Sequence, residues 1–331
     1  MPDAPRVYVV VLNWNGYEDT RNCLISLQKV SYPNLRVIVV DNGSIDCSGR
    51  RLEMEFGDCE FIFNNKNLGF SGGCNVGITA ALDDKECAYV LLLNNDAIVS
   101  PDSLQAAVEH AEADQQIGMV GGKILHSHET KILSYAGGFV SRWRGQSSIR
   151  GFGEVDRGKY DGSCEVGFII GALMLVKRRV LEVVGLLPEE YFFGVEDLDY
   201  SLTVRQRGFK LYYVPQFVAY HVGDGSHWAL SPKYTYNSYR GKLILLQKHL
   251  PWGLFPLWKV LLIFYARTIA KRRWENLANK FKYDQEKKAC YEDMQFALLK
   301  AIQDHGKDDL SEETLVRFER ALQRSKEAAR C

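Results

Sequence analysis

The sequence predicts an α/β fold, a mixed and mainly parallel sheet with helices on both faces, followed by a C-terminal helical extension. Two patterns carry this. Up to about residue 115, short and nearly continuous apolar runs alternate with polar turns and helical stretches, as in a parallel sheet buried on both sides. After about residue 230 the strand signal stops and only helical segments follow. We therefore expect an α/β domain over 1–230, with halves 1–115 and 116–230, and a helical region over 231–331.

The first four strands are expected at 7–12, 36–40, 61–63 and 89–93, with helices near 19–28, 50–56, 72–82 and 101–113. From 118 to 176 glycines and aromatics surround short strand-like runs at 119–125, 136–140 and 166–176, which predict antiparallel additions to the sheet. Residues 196–207 form a helical pattern closed by Gly208, and KLYYVPQFVAYHVG supplies a final pair of short strands split at Pro215. Helical patterns then cover 233–250, 257–283 and 309–325. The last has Asp309 and Glu312 as a capping box and Leu315, Phe318 and Leu322 on one face.

Lys plus Arg and Asp plus Glu both number 41, so no global field favours nucleic acid as a partner. The eight cysteines show no metal-type or disulfide spacing and read as reduced thiols. The N-terminal apolar run breaks at Asn13 and has no basic segment before it, which predicts a first strand in a cytoplasmic protein rather than a signal peptide.

In an open parallel sheet, ligands bind at the carboxyl ends of the strands. Here those ends carry Asn13-Trp14-Asn15-Gly16, Asp41-Asn42-Gly43-Ser44-Ile45-Asp46, Asn67 to Gly73 and Asn94-Asn95-Asp96. Each alone reads as a turn, because Asn, Asp and Gly are turn formers. Four at one edge point to a polar ligand, and the Gly69 to Gly73 turn offers helix N–H groups to an anion. Its glycines match neither a dinucleotide fingerprint nor a Walker loop.

Glu196, Asp197 and Asp199 follow the aromatic run Tyr191 to Phe193. They are either helix N-terminal charge or, for two adjacent acids beside aromatics, carboxylates with a raised pKa suited to general base work. His221 ends the final strand and is structural or a ligand; His126 and His128 read as structural.

Six blocks in order, VVVLNWNG, YPNLRVIVVDNGSID, NKNLGFSGGCNVGI, YVLLLNNDAIVSP, GALMLVKRRVLEVVG and EEYFFGVEDLDYSLTVRQRGFKLYYVPQFVAYHVG, resemble the family 2 inverting glycosyltransferases with the GT-A fold, in their rhamnosyltransferase-like branch. The resemblance spans about residues 6–248. It implies a nucleotide-sugar donor (dTDP or UDP) over the parallel half of the sheet, near Asn13, Asn15, Asp41, Asn42, Gly69, Gly72, Asn75 and Asn94 to Asp96. Asp41 would face the pyrimidine. It also implies a Mn²⁺ or Mg²⁺ ion on Asp96 and His221. Asn94 departs from the usual motif, which starts with a carboxylate. Such an ion accepts few protein carboxylates when diphosphate and water complete its shell.

By the same resemblance, Asp197 is the catalytic base, and Glu196, Phe193 and Arg240 face a saccharide or polyprenyl-diphosphate-linked acceptor. Residues 257–283 hold seven Lys and Arg against one Glu, with Trp258 and Trp274 near the two ends. They form either a helix packed on the core or an interfacial helix at an anionic membrane surface. Two rival functions stand beside the glycosyltransferase: a nucleotidyltransferase, although NWNGYEDT lacks the basic residue that a triphosphate needs, and a noncatalytic sugar-nucleotide binder.

Overall fold

The computed structural model describes residues 4–127, 129–141, 143, 145–221, 232–251, 253–280, 285–306 and 316. His128 and the predicted helix with its capping box lie outside the described residues, apart from residue 316. The chain forms two compact units. One comprises Met1–Val140, Ser147–Pro188 and Glu196–Gly223, the other Ser141–Gln146, Glu189–Val195 and Asp224–Cys331.

The first unit is built on strands β1 (Arg6–Asn13), β2 (Leu35–Asp41), β3 (Glu60–Phe63), β4 (Cys87–Leu93), β5 (Ala97–Val99), β6 (Ile117–Leu125), β7 (Leu133–Tyr135), β8 (Gly138–Ser141), β9 (Gln146–Ile149), β10 (Cys164–Glu165), β11 (Leu173–Lys177) and β12 (Lys210–His221). Ten of them form one sheet with the main order β10-β12-β6-β11-β4-β1-β2-β3. β1 pairs parallel with β2 and β4, β2 with β3 and β6 with β12, while β11 runs antiparallel between β4 and β6. The result is the expected mixed, mainly parallel sheet. Its centre is apolar on both faces: Val9, Val11, Val39, Leu91 and Leu175 on one, and Val10, Ile38, Leu92 and Met174 on the other, are all buried.

Helices α1 (Tyr17–Leu27), α2 (Ser48–Glu55), α3 (Gly69–Asp83), α4 (Ser103–Ala113), α5 (Arg178–Val184) and α6 (Glu196–Gln206) complete this unit. α3 begins three residues before the expected Gly72, because Gly69, at φ 75°, turns the chain directly into the helix. Glycines also seat α3 on the sheet: a Cβ at Gly77 would lie 2.5 Å from Val10 and one at Gly73 2.4 Å from Leu12. The run expected at 166–176 is a strand only from Leu173, and α5 was not anticipated.

The expected pair of strands split at Pro215 is a single strand. β12 continues from Lys210 to His221 and absorbs Pro215 in a bulge, where Val214 pairs with Gly122 but Val218 pairs with the next residue, Lys123. A bulge tolerates proline because its N–H is not needed in the ladder. Gly122 permits this bulge, since a Cβ there would sit 1.9 Å from the Phe217 carbonyl oxygen.

The second unit is mostly helical where described, apart from the short stretches 141–146 and 189–195. Its helices are α7 (Pro232–His249), α8 (Leu254–Tyr265), a π-helical turn (Ala266–Ala270), α9 (Lys271–Lys280) and α10 (Gln285–Asp304). The single helix expected over 257–283 is thus interrupted, and α10 was not expected. Leu243, Leu262, Ala266, Ala270, Leu298 and Ile302 form its core.

Replacing Gly122 with Ala is expected to cost about 3 kcal/mol, because the contact is with rigid backbone. Chemical denaturation would measure this, and a cost below about 1 kcal/mol would show that β12 can shift freely.

Candidate active site

Parallel pairing brings the carboxyl ends of β1 to β4 to one edge, and the register sets Asn13 beside Asp41. Asn13 is fully buried. Its Nδ2 donates to Asp41 Oδ2 at 2.7 Å and Ser48 Oγ at 2.9 Å, and its Oδ1 accepts from Thr20 Oγ1 at 2.9 Å. Thr20 in turn accepts from Asn95 Nδ2 at 2.9 Å. One continuous chain of hydrogen bonds therefore joins the ends of β4, β1 and β2. Asp41 Oδ1 also accepts the Ser44 N–H at 2.9 Å.

Asn15 links the first two loops: its N–H donates to Ser44 Oγ and its Oδ1 accepts the Ile45 N–H, both at 2.9 Å. Its φ of 51° is a left-handed conformation that Asn tolerates well. Asn42 and Asn75, expected at the donor, have amides engaged within the protein. Asn42 donates to Asn67 Oδ1 and the Gly69 carbonyl at 3.0 Å and accepts from Leu68 N–H at 3.1 Å, which frames the glycine turn. Asn75 bonds both main-chain groups of Leu187, at 2.9 and 3.0 Å. Gly69 and Gly72 lie buried in the first turn of α3.

Immediately after β4 the chain turns at Asn94 to Asp96 and enters β5, which pairs antiparallel with β12 so that His221 lies opposite Ala97. This register sets His221 Nε2 3.0 Å from Asp96 Oδ1 and 3.2 Å from Asn94 Nδ2. When Nε2 accepts from the Asn94 amide, Asp96 Oδ1 is buried without a hydrogen-bond donor. A carboxylate at position 94 could not donate to a neutral imidazole, and it would add a second negative charge beside Asp96.

The corner fits a divalent cation. It offers a shielded, unsatisfied carboxylate oxygen beside an imidazole nitrogen whose single lone pair a cation would take in place of the Asn94 amide, both suitable ligands for Mn²⁺ or Mg²⁺. Among the described residues no third His, Cys, Asp or Glu joins them. An ion held here would take its remaining ligands from diphosphate and water.

Asp197 opens α6. Its Oδ2 accepts the Gly171 N–H at 3.2 Å and its Oδ1 accepts the Leu198 N–H at 2.8 Å. Burial outweighs these bonds and raises its pKa to about 6. Phe70 of α3 reaches the same Gly171 backbone: a Cβ on Gly171 would lie 3.1 Å from the Phe70 ring and 3.9 Å from Asp197 Cβ. Val195 precedes the helix at φ 81°, a conformation rare for a β-branched residue and of a kind that collects at functional sites.

Glu196 is buried, and after burial itself its charge contributes to raising the Cys74 thiol pKa, which sets it against α3. Phe193 and Arg240 fall in the second unit. Phe193 is half exposed. Arg240 is buried and donates to the carbonyls of Glu190 and Asp304 at 3.1 and 3.3 Å. Sequence reasoning missed Thr20, Ser48 and Gly171. A polar residue one helical turn into α1, or at the first position of α2, after a strand-end amide, is the signal that would have found Thr20 and Ser48.

Asn13→Ala is expected to lower stability by about 2–3 kcal/mol, because it strands the buried Asp41 carboxylate and Thr20 hydroxyl. Urea unfolding checks this; a change under about 0.5 kcal/mol would show that the chain of hydrogen bonds is dispensable.

A family model for glycosyltransferase like family 2 matches residues 5–236. The low-salt glycan biosynthesis hexosyltransferase Agl10 of Haloferax volcanii is 24% identical over 61% of this chain and 62% of its own length. The galactofuranosyltransferase GlfT2 of Mycolicibacterium smegmatis is 23% identical over 75% of this chain and 42% of its own. The chain thus matches less than two thirds of either relative. The N-acetylglucosaminyl-diphospho-decaprenol L-rhamnosyltransferase of Mycobacterium tuberculosis is 22% identical over 75% of this chain and 87% of its length. Among solved structures, the mannosyltransferase PcManGT from Pyrobaculum calidifontis, in complex with GDP-Man and Mn²⁺, superposes with a TM-score of 0.54 and 18% identity over 92% of this chain and 88% of its own. GalNAc-T7 with UDP, GalNAc and Mn²⁺ gives 0.58 and 15% identity over 77% and 50%. These similarities place the fold among GT-A glycosyltransferases.

Proposed function

The chain belongs to glycosyltransferase family 2, and on that premise we propose a metal-dependent, inverting hexosyltransferase that moves L-rhamnose from dTDP-L-rhamnose to a saccharide hydroxyl. The observation that carries this reading is the Asp96–His221 corner, set at the strand-end rim that also carries Asn13 and Asp41. The second reading for the donor is a UDP-sugar, since relatives named as galactofuranosyl- and rhamnosyltransferases match at similar identity. The acceptor is a sugar carried on a polyprenyl diphosphate, met at the cytoplasmic face of a membrane during surface polysaccharide assembly.

In this reading Asp41 receives the pyrimidine, and Asn15 holds the first two strand-end loops in place around it. Asp96 and His221 hold the cation, which when bound neutralises charge on the departing diphosphate. Asp197 accepts the acceptor hydroxyl proton at Oδ1 or Oδ2 as the oxygen attacks the anomeric carbon from the side opposite the diphosphate. One displacement inverts that carbon. The Gly171 N–H keeps the carboxylate in place, and its raised pKa makes it a stronger base than an exposed Asp.

Only the deprotonated form serves as a base, so turnover should fall as pH drops through about 6. The same shift sets a sign for stability. Burial disfavours the charged form, so the folded state bears a cost above pH about 6, which fades as pH falls toward the ordinary Asp value of 3.8. Asp197→Asn should therefore abolish transfer and retain donor binding. It should also stabilise the fold by up to about 3 kcal/mol near neutral pH, with little gain near the lower value. Wild-type turnover in this variant would refute the base assignment, and a retained anomeric configuration in the product would refute the one-step displacement.

A further inference from the structure

Helix α8 has two apolar faces, and among the described residues only one is packed. Leu262 and, in the turn that follows, Ala266 and Ala270 pack into the core of the helical unit with Leu243 and Leu298. On the other side Leu257, Val260, Leu261 and Phe264 are 57, 62, 53 and 61% exposed, and Ile269 continues them at 58%. Spacings of three and four residues set the first four on one stripe of the helix. A surface helix of a soluble protein usually turns polar groups outward, and contiguous exposed apolar stripes of this kind mark interaction sites.

The chemistry beside the stripe identifies what covers it. Arg267, Lys271, Arg272 and Arg273 are exposed directly after it, whereas Glu275 is the only acid in α8, the π-helical turn and α9. Glu275 lies 3.8 Å from Lys271, leaving the basic run in excess. Among the described residues no helix is long and apolar enough to cross a membrane. An apolar stripe with a basic margin that cannot span is suited to lie in the headgroup region of an anionic bilayer. A second copy of the chain would answer the apolar stripe but leave the basic run unmatched.

We propose that Leu257, Val260, Leu261, Phe264 and Ile269, with Arg267 and Lys271 to Arg273, form a docking face for an anionic lipid surface. This deepens the lipid-linked acceptor reading and rests on it for its purpose: a docked chain meets an acceptor whose carrier never leaves the membrane. Its test does not depend on transfer.

Full-length protein is sedimented with phosphatidylglycerol-containing vesicles and with pure phosphatidylcholine vesicles, at low and high salt. The wild type should partition into the anionic vesicles, and less so at high salt. Leu257→Ser/Leu261→Ser/Phe264→Ser should reduce partitioning at least about ten-fold. Arg272→Glu/Arg273→Glu should remove the preference for anionic lipid while retaining the wild-type melting temperature. Wild-type protein that stays in the supernatant, or variants that bind as it does, would overturn the proposal. So would a dimer in light scattering that the triple substitution dissociates, since a second copy would then cover the stripe. Donor binding measured on the same variants keeps the two readings apart: unchanged donor binding with lost vesicle binding supports the docking face, whereas vesicle binding without any donor binding would sink only the glycosyl-transfer reading.

Discussion

The pairing of β5 with β12 is the constraint on which the site depends. β4 ends near the middle of the sheet and β12 lies three places away, beyond β11 and β6. Nothing in the main sheet order would bring Asp96 and His221 together. The short β5 does so by reversing directly after Asp96 and laying Ala97 opposite His221. The bulge at Pro215 and its seat against Gly122 belong to the same device, since they fix where β12 runs before it reaches His221.

The second feature is the use of neutral amides where carboxylates would crowd. Asn13, Asn42, Asn94 and Asn95 share the rim with Asp41 and Asp96. Each amide both donates and accepts, so buried strand ends can be linked without the cost of adjacent like charges. Asn13 shows this most clearly, since it donates to Asp41 and accepts from Thr20. Each amide in place of a carboxylate spares the rim one negative charge. Asn94 follows the same logic: its amide meets the imidazole that completes the cation corner.

Much of this was legible in the sequence, and the misses have physical causes. The apolar strands, the parallel core and the polar strand ends follow from local pattern, because buried strands and turn formers are selected residue by residue. Asp96, Asp197 and His221 were singled out through an ordered set of motifs. What was hidden is long-range. The bonds of Asn75 to Leu187 and of Asp197 to Gly171 span large sequence separations and leave no local mark. Pro215 suggested a break because local chemistry favours one, yet the tertiary bulge overrode it. Burial raises the Asp197 pKa in the expected direction, but the Gly171 N–H that holds this carboxylate comes from a distant segment with no local signal.

The proposed chemistry depends on Asp96 and His221 acting as a pair that a nucleotide diphosphate completes. The most direct measurement is Mn²⁺ binding to the full chain by electron paramagnetic resonance, with and without dTDP or UDP, for wild type, Asp96→Asn and His221→Ala. The account expects weak binding to wild type alone, a gain of at least about ten-fold with nucleotide, and loss of that gain in either variant. Nucleotide-enhanced Mn²⁺ binding that survives both substitutions would contradict it.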